Sequence, residues 1–117
     1  MSEVEPACMC PKLEVAVNIL GKKWNGAIIY HLINHPQRFC QLRDSIEGIS
    51  DRVLIERLRE LSKQGLVAKC DEQGNYQAKG NCYGLTSMGQ AMEPVLADLH
   101  TWAQDWVCLD KAQENVS

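Results

Sequence analysis

Residues 49–67, Ile-Ser-Asp-Arg-Val-Leu-Ile-Glu-Arg-Leu-Arg-Glu-Leu-Ser-Lys-Gln-Gly-Leu-Val, constrain this chain more than any other stretch, because they spell a helix with both of its ends. Ser50 is a side chain suited to an N-cap, and Gly65 tolerates the left-handed backbone that closes a helix. Between them Leu54, Leu58 and Leu61 recur at spacings of four and three, which is one apolar stripe. At about 100° per residue, Arg52, Glu56, Arg59 and Lys63 fall on the opposite side, with Val53 on the flank. A capped helix with an arginine near its start, stopping at Gly-Leu-Val before a strand, has the form that a winged helix-turn-helix protein lays in a DNA major groove. A surface helix with a solvated charged face has the same local pattern. The flanks decide between them.

Pro11 suits the first position of a helix, where its missing N–H costs nothing. That makes Cys10 the N-cap, with Leu13, Ala16, Val17 and Leu20 as the expected buried stripe and Gly21 as the stop. A second helix is predicted over 24–34, ended by Pro36, and a brief third one over 41–46. Residues 66–71 and 82–85 read as strands around a polar hairpin tip at 73–81. Thr86 then caps a long last helix predicted to reach residue 109. Its Met88, Met92, Val95 or Leu96, Leu99, Trp102 and Trp106 step by four and three. The expected fold is mainly α with a small β wing, a winged helix-turn-helix with extra N- and C-terminal helices. Residues 1–9 read as a flexible arm, 10–109 as the domain, 86–109 as its dimerisation helix and 110–117 as a tail. Such a helix with two tryptophans is more apolar than one small core can cover, so a second copy of the chain is the expected partner, with Met92, Leu99, Trp102 and Trp106 at the interface.

Charge is distributed unevenly. Residues 22–79 carry a balance of +3, against −2 for 1–21 and −4 for 86–117, giving the net −3. A basic middle between acidic ends fits double-stranded DNA as a partner, since phosphate binding depends on local charge. Apolar runs are too short to cross a bilayer and the N-terminus has no signal-peptide pattern, so a cytoplasmic protein without a membrane role is expected. There the six cysteines, Cys8, Cys10, Cys40, Cys70, Cys82 and Cys108, are expected as thiols.

These motifs together resemble the HxlR family of bacterial winged helix-turn-helix regulators, relatives of the MarR group. The resemblance covers roughly 10–107 and rests on Cys10-Pro11, Gly21-Lys22-Lys23-Trp24, Arg38-Phe39-Cys40-Gln41-Leu42, Gly48-Ile49-Ser50-Asp51-Arg52, Leu58-Arg59-Glu60-Leu61, Gly65-Leu66-Val67 and Tyr83-Gly84-Leu85-Thr86 with Gly89. It implies a homodimeric transcription regulator, often a repressor, in which the cysteine before the proline senses oxidants or electrophiles in some members. Three departures stand out. Cys40 occupies a place the family usually gives to Asn, Ser or Thr, the wing lacks the usual prolines, and Gly84 interrupts the second strand.

In such a regulator Arg52 is the candidate for a bidentate guanine contact, Val53 for a thymine methyl and Glu56 for a cytosine amine, unless Glu56 pairs with Arg52 or Arg59. Ser50 is placed to donate to a phosphate, with Arg59, Lys63 and, on the wing, Lys79 and Lys69 as further phosphate or minor-groove contacts. Trp24 reads as core, with Lys22 and Lys23 solvated. A thiol at a helix N-cap faces free amides and the positive end of the dipole, which favours the thiolate; Cys10 is therefore the candidate sensor for an oxidant, electrophile or quinone. Cys108 is its first-ranked disulfide partner, from the other subunit. Cys70 and Cys82 sit in opposing wing strands and read as small strand residues rather than sensors. A metal-responsive or small-ligand-responsive regulator is the alternative, with Cys8, Cys10 and Cys108 or a histidine as a thiolate site, though no Cys-x-x-Cys pair supports it. His31, His35 and His100 read as ordinary surface or core residues. No cofactor site, metal site or catalytic constellation is expected, so an enzyme is not.

Overall fold

The computed structural model describes residues 9–109. Along them run α1 (Pro11–Gly21), α2 (Asn25–Leu32), β1 (Gln37–Arg38), α3 (Phe39–Ser45), α4 (Asp51–Lys63), β2 (Val67–Cys70), β3 (Cys82–Leu85), α5 (Ser87–Gln90) and α6 (Glu93–Trp106). The arm at 1–8, with Cys8, and the tail at 110–117 lie outside the described residues.

Helix α4 begins and ends as its sequence predicts. Ser50 Oγ accepts the amide proton of Val53 at 3.1 Å. At the other end Gly65, at φ +89°, lets the Gly65 amide reach the Ser62 carbonyl at 3.1 Å and the Leu66 amide reach that of Leu61 at 2.9 Å. That pair of bonds is a Schellman closure, which satisfies two carbonyls the helix would otherwise leave open. Leu54, Leu58 and Leu61 are fully buried against Ile28, Ile29 and Leu32 of α2, Leu42 of α3, and Leu66, Val67 and Leu85 of the sheet. The sheet has the order β1-β3-β2, antiparallel throughout. Helix, helix and wing therefore share one core, and α4 presents its outer face beside the hairpin. This is a winged helix-turn-helix.

Several expectations need correction. The last helix is two helices, not one. Thr86 Oγ caps α5 through the Gly89 amide at 3.1 Å, but α5 stops at Gln90 and α6 starts at Glu93. Pro94 explains the break: it has no N–H to give Gln90, and its ring would collide with the Gln90 carbonyl. Gly89 is required at the turn, since a Cβ there would lie 2.3 Å from the Leu66 carbonyl oxygen.

The stripe on α1 is also not buried by its own chain: Leu13 is 53% exposed and Val17 51%, and Ala16 is open as well, so only Ile19 and part of Leu20 reach the core. The second helix starts one residue later than expected and ends at Leu32, while the third begins at Phe39. Asn25 is buried there, donating Nδ2 to the Ile19 carbonyl at 2.9 Å and so joining the end of α1 to the start of α2. Trp24 turns the corner in left-handed backbone (φ +80°) and packs half-buried on the core.

Candidate nucleic-acid interface and thiol sites

Arg52, Glu56, Arg59 and Lys63 stand exposed on α4, with Val53 half-buried on the flank and Ser50 exposed at the start. Ser50 uses a lone pair on the Val53 amide, which leaves its hydroxyl proton free to donate. Among the described residues Glu56 forms no ion pair with Arg52 or Arg59, the alternative left open for it. The charged contacts on this helix are Arg57 to Glu60 at 3.0 Å, Lys22 to Glu60 at 3.2 Å and Arg43 to Asp51 at 3.0 Å. Lys22 is thus tied to α4 and is not simply solvated, and its ammonium holds the Glu60 carboxyl below the usual range. Arg52, Arg59 and Lys63 have no salt-bridge partner among the described residues, so their positive charge is available to an external anion. The paired residues Arg57 and Glu60 brace the helix; sequence spacing at i,i+3 could have flagged them.

The second half of that face meets the wing. Arg59 and Lys63 line a groove of about 420 Å³ together with Lys69 and Tyr83, and the Lys69 ammonium sits 5.9 Å from the Tyr83 ring centroid. Three basic groups from helix and strand therefore line one groove, a concentration of positive charge suited to phosphate. Lys79 is exposed on the loop beyond β2.

That loop is ordered without prolines. The Asp71 carboxylate accepts the amides of Gln73 and Asn75, each at 2.9 Å, and the side-chain amides of Asn75 and Gln77. The Asn75 contact above all holds its pKa down. Gly74, at φ +93°, completes the turn.

Among the thiols, Cys10, Cys40 and Cys108 are exposed, while Cys70 and Cys82 are buried. Cys10 is the N-cap of α1, with Pro11 beginning the helix and its own carbonyl accepting from the Glu14 amide at 2.9 Å. Its sulfur does not close a capping hydrogen bond of ordinary geometry, yet it faces the free amides of Leu13 and then Lys12, and these lower its pKa. Cys40 lies inside the first turn of α3 and is not a cap; there the Arg38 amide donates to Gln41 Oε1 at 3.0 Å.

On α6, Val95, Leu99, Trp102 and Trp106 form an exposed stripe, with Trp102 57% and Trp106 75% open, whereas Met92 packs against the core. The histidines that look scattered in sequence gather in space. His31, His35 and His100 all line a groove of about 420 Å³ between the end of α2 and α6, with Glu93 on the same wall as His100. Among the described residues no group of three is set to hold a metal ion. Nor is any helix there long and apolar enough to cross a membrane.

Comparison with known proteins agrees with this architecture. The chain is 39% identical over 99 residues to the HTH-type transcriptional regulator YvaP of Bacillus subtilis, covering 85% of this chain and 90% of that one. It is 37% identical over 98 residues to YodB, an HTH-type transcriptional regulator of the same organism, with 84% and 86% covered. The structure of quinone-bound YodB superposes with a TM-score of 0.73 at 37% identity over 84% of this chain and 100% of that one. The redox regulator HypR in its reduced form gives a TM-score of 0.67 at 29% identity, with 80% and 91% covered. The model of the HxlR-like helix-turn-helix matches residues 19–111. The chain belongs to the HxlR-like helix-turn-helix family of transcriptional regulators.

Proposed function

We propose that this protein is a homodimeric repressor that reads double-stranded DNA with α4 and the wing, and loses or alters that grip when Cys10 is oxidised or alkylated by an electrophile such as a quinone. The observation that carries the reading is the setting of Cys10. It is an exposed thiol aimed at helix amides, on a helix whose apolar residues Leu13 and Val17 lack cover, as do those of α6. Joining those two open faces across a two-fold axis would give each its missing partner and place Cys10 beside the subunit contact.

In such a dimer the two recognition helices must sit about 34 Å apart to enter successive major grooves. An adduct on Cys10, or a disulfide from it to Cys108 of the second copy, changes the packing of α1 and so that spacing. YodB has been crystallised with quinone bound and HypR in a reduced form, which makes thiol chemistry a reasonable effector class for this relative.

The test is DNA retention by reduced and treated protein, using genomic fragments selected on the reduced form. Wild type should release them after diamide or benzoquinone, and dithiothreitol should restore binding after diamide. Cys10→Ser should bind when reduced and ignore both reagents. A Cys10→Ser protein that still responds, while a change at Cys40 or Cys108 silences it, would place the sensor elsewhere.

A further inference from the structure

In the wing, Cys70 and Cys82 occupy directly opposed positions of β2 and β3. Opposed residues in an antiparallel ladder keep their Cα atoms about 4.5–5.5 Å apart, within the ~4.4–6.8 Å that a disulfide spans. Their side chains leave the same face of the sheet, because direct partners always do. On β3's other edge Arg38 is the register partner of Cys82, so one row across the sheet reads Arg38, Cys82, Cys70. The pair is the last rung of the β2–β3 ladder before the loop at 71–81, which folds back so that Cys70 also bridges Tyr76. Gly84 makes room beside it: a Cβ there would lie 3.1 Å from the Cys70 sulfur.

We propose that Cys70 and Cys82 are a second redox site, a dithiol that closes to an intramolecular disulfide and staples the base of the wing. Both residues are buried, and of the two Cys82 borders a groove of about 430 Å³ with Arg38, Gln41 and Glu72, the side from which an oxidant would reach the pair. Arg38 pairs with Glu72 on the rim of that groove. Cys70 is held as the protonated partner by burial, by Cys82 and by Asp71, which push its thiol up.

With an azo oxidant such as diamide, the Cys82 thiolate adds to one nitrogen of the N=N bond and the other nitrogen takes a proton. Cys70 then attacks the Cys82 sulfur. The S–S bond forms, the S–N bond breaks and the Cys70 proton goes to the departing nitrogen. Two thiols lose two electrons and the azo compound leaves as the hydrazine. The bond would close off the loop that carries Lys79, and any consequence for DNA rests on the function proposed above. Formation of the bond does not.

The experiment uses the full chain with Cys8, Cys10, Cys40 and Cys108 changed to Ser, treated with diamide and blocked with N-ethylmaleimide in denaturant. Cleavage after Lys69 and Lys79 separates the two remaining cysteines onto different peptides. The expected result is a linked pair, 70–79 with 80–111, that dithiothreitol splits, in a protein that stays a covalent monomer. Full maleimide labelling of both residues after diamide, or a covalent dimer through either, overturns the proposal. If the four-serine variant does not fold, mapping the same peptides in the single Cys108→Ser protein gives the answer, since each peptide then holds one cysteine. Because no step reads Cys10, a silent Cys10 with a closed Cys70–Cys82 pair would sink the proposed sensor and leave this site standing.

Discussion

Helices α4 and α6 are nearly the same length, 13 and 14 residues, and both carry apolar residues at spacings of four and three. Their fates differ. Leu54, Leu58 and Leu61 of α4 vanish into the chain's own core, whereas α6 has no buried residue at all and leaves Leu99, Trp102 and Trp106 open. An amphipathic stripe states that a face must be covered and says nothing about what covers it. In α4 the cover is α2, α3 and the sheet, and the opposite face is freed for a charged partner. In α6 part of the cover is internal, through Leu96, and the rest is the face we assign to a second subunit.

The largest effects separate those two kinds of burial. Leu58→Ala should cost about 2–5 kcal/mol, the usual range for emptying a packed core site. That loss should be the same at every protein concentration. Changing Trp102 and Trp106 together to Ala should instead lower a melting midpoint that depends on concentration, because association and folding are linked. Sedimentation should show the double variant moving toward monomer at low micromolar concentration. A dimer that persists there would break the comparison, leaving α6 without an assigned cover.

The outer face of α4 gives the next test. Arg52→Ala should weaken selected operator fragments by roughly 1–3 kcal/mol, the worth of a bidentate base contact. Lys79→Ala should weaken all DNA alike and flatten the slope of log affinity against log salt by about one. Filter binding across a salt series distinguishes the two patterns. If Arg52→Ala changed only the salt slope, its guanidinium would be reading phosphate and the recognition face would have to be rotated around the helix.

What was legible in the sequence follows the same divide between local and distant causes. The boundaries of α4 were readable because Ser50, the leucine stripe and Gly65 all act within a few residues of one another. The break at Pro94 was equally local, but the four-and-three pattern running through it masks the proline in a stripe-based reading. That α1 would stay open could not be read, since Leu13 and Val17 look the same whether the chain or a partner covers them. That Cys70 and Cys82 lie in opposing strands was readable, but their direct pairing depends on hairpin register, which the long polar loop leaves undetermined until Asp71 is seen to organise it. Likewise, His31 and His35 stand four apart in sequence, but the wall bearing His100 and Glu93 exists only once α6 folds back.

The wing tip shows a third way of holding a segment, by polar bonds with little apolar cover, and it should carry the smallest effect. Asp71 accepts four hydrogen bonds from Gln73, Asn75 and Gln77, and these favour its ionised form, so its folded pKa lies below the unfolded value of about 3.9. A depressed carboxyl pKa contributes stability that is present above the unfolded value and is lost as pH falls through the folded one. Acidification through that window should therefore lower the protection of the Gln73 and Asn75 amides, measured against their intrinsic exchange rates at each pH, while Leu58 and Leu61 in α4 stay protected. Asp71→Ala should reproduce the lowered protection at neutral pH without moving the global melt appreciably, since the group is exposed. Exchange at Gln73 and Asn75 that is already fast in the wild type at neutral pH would show that the loop is not ordered by this carboxylate. Lys79 would then reach DNA from a segment ordered only on binding.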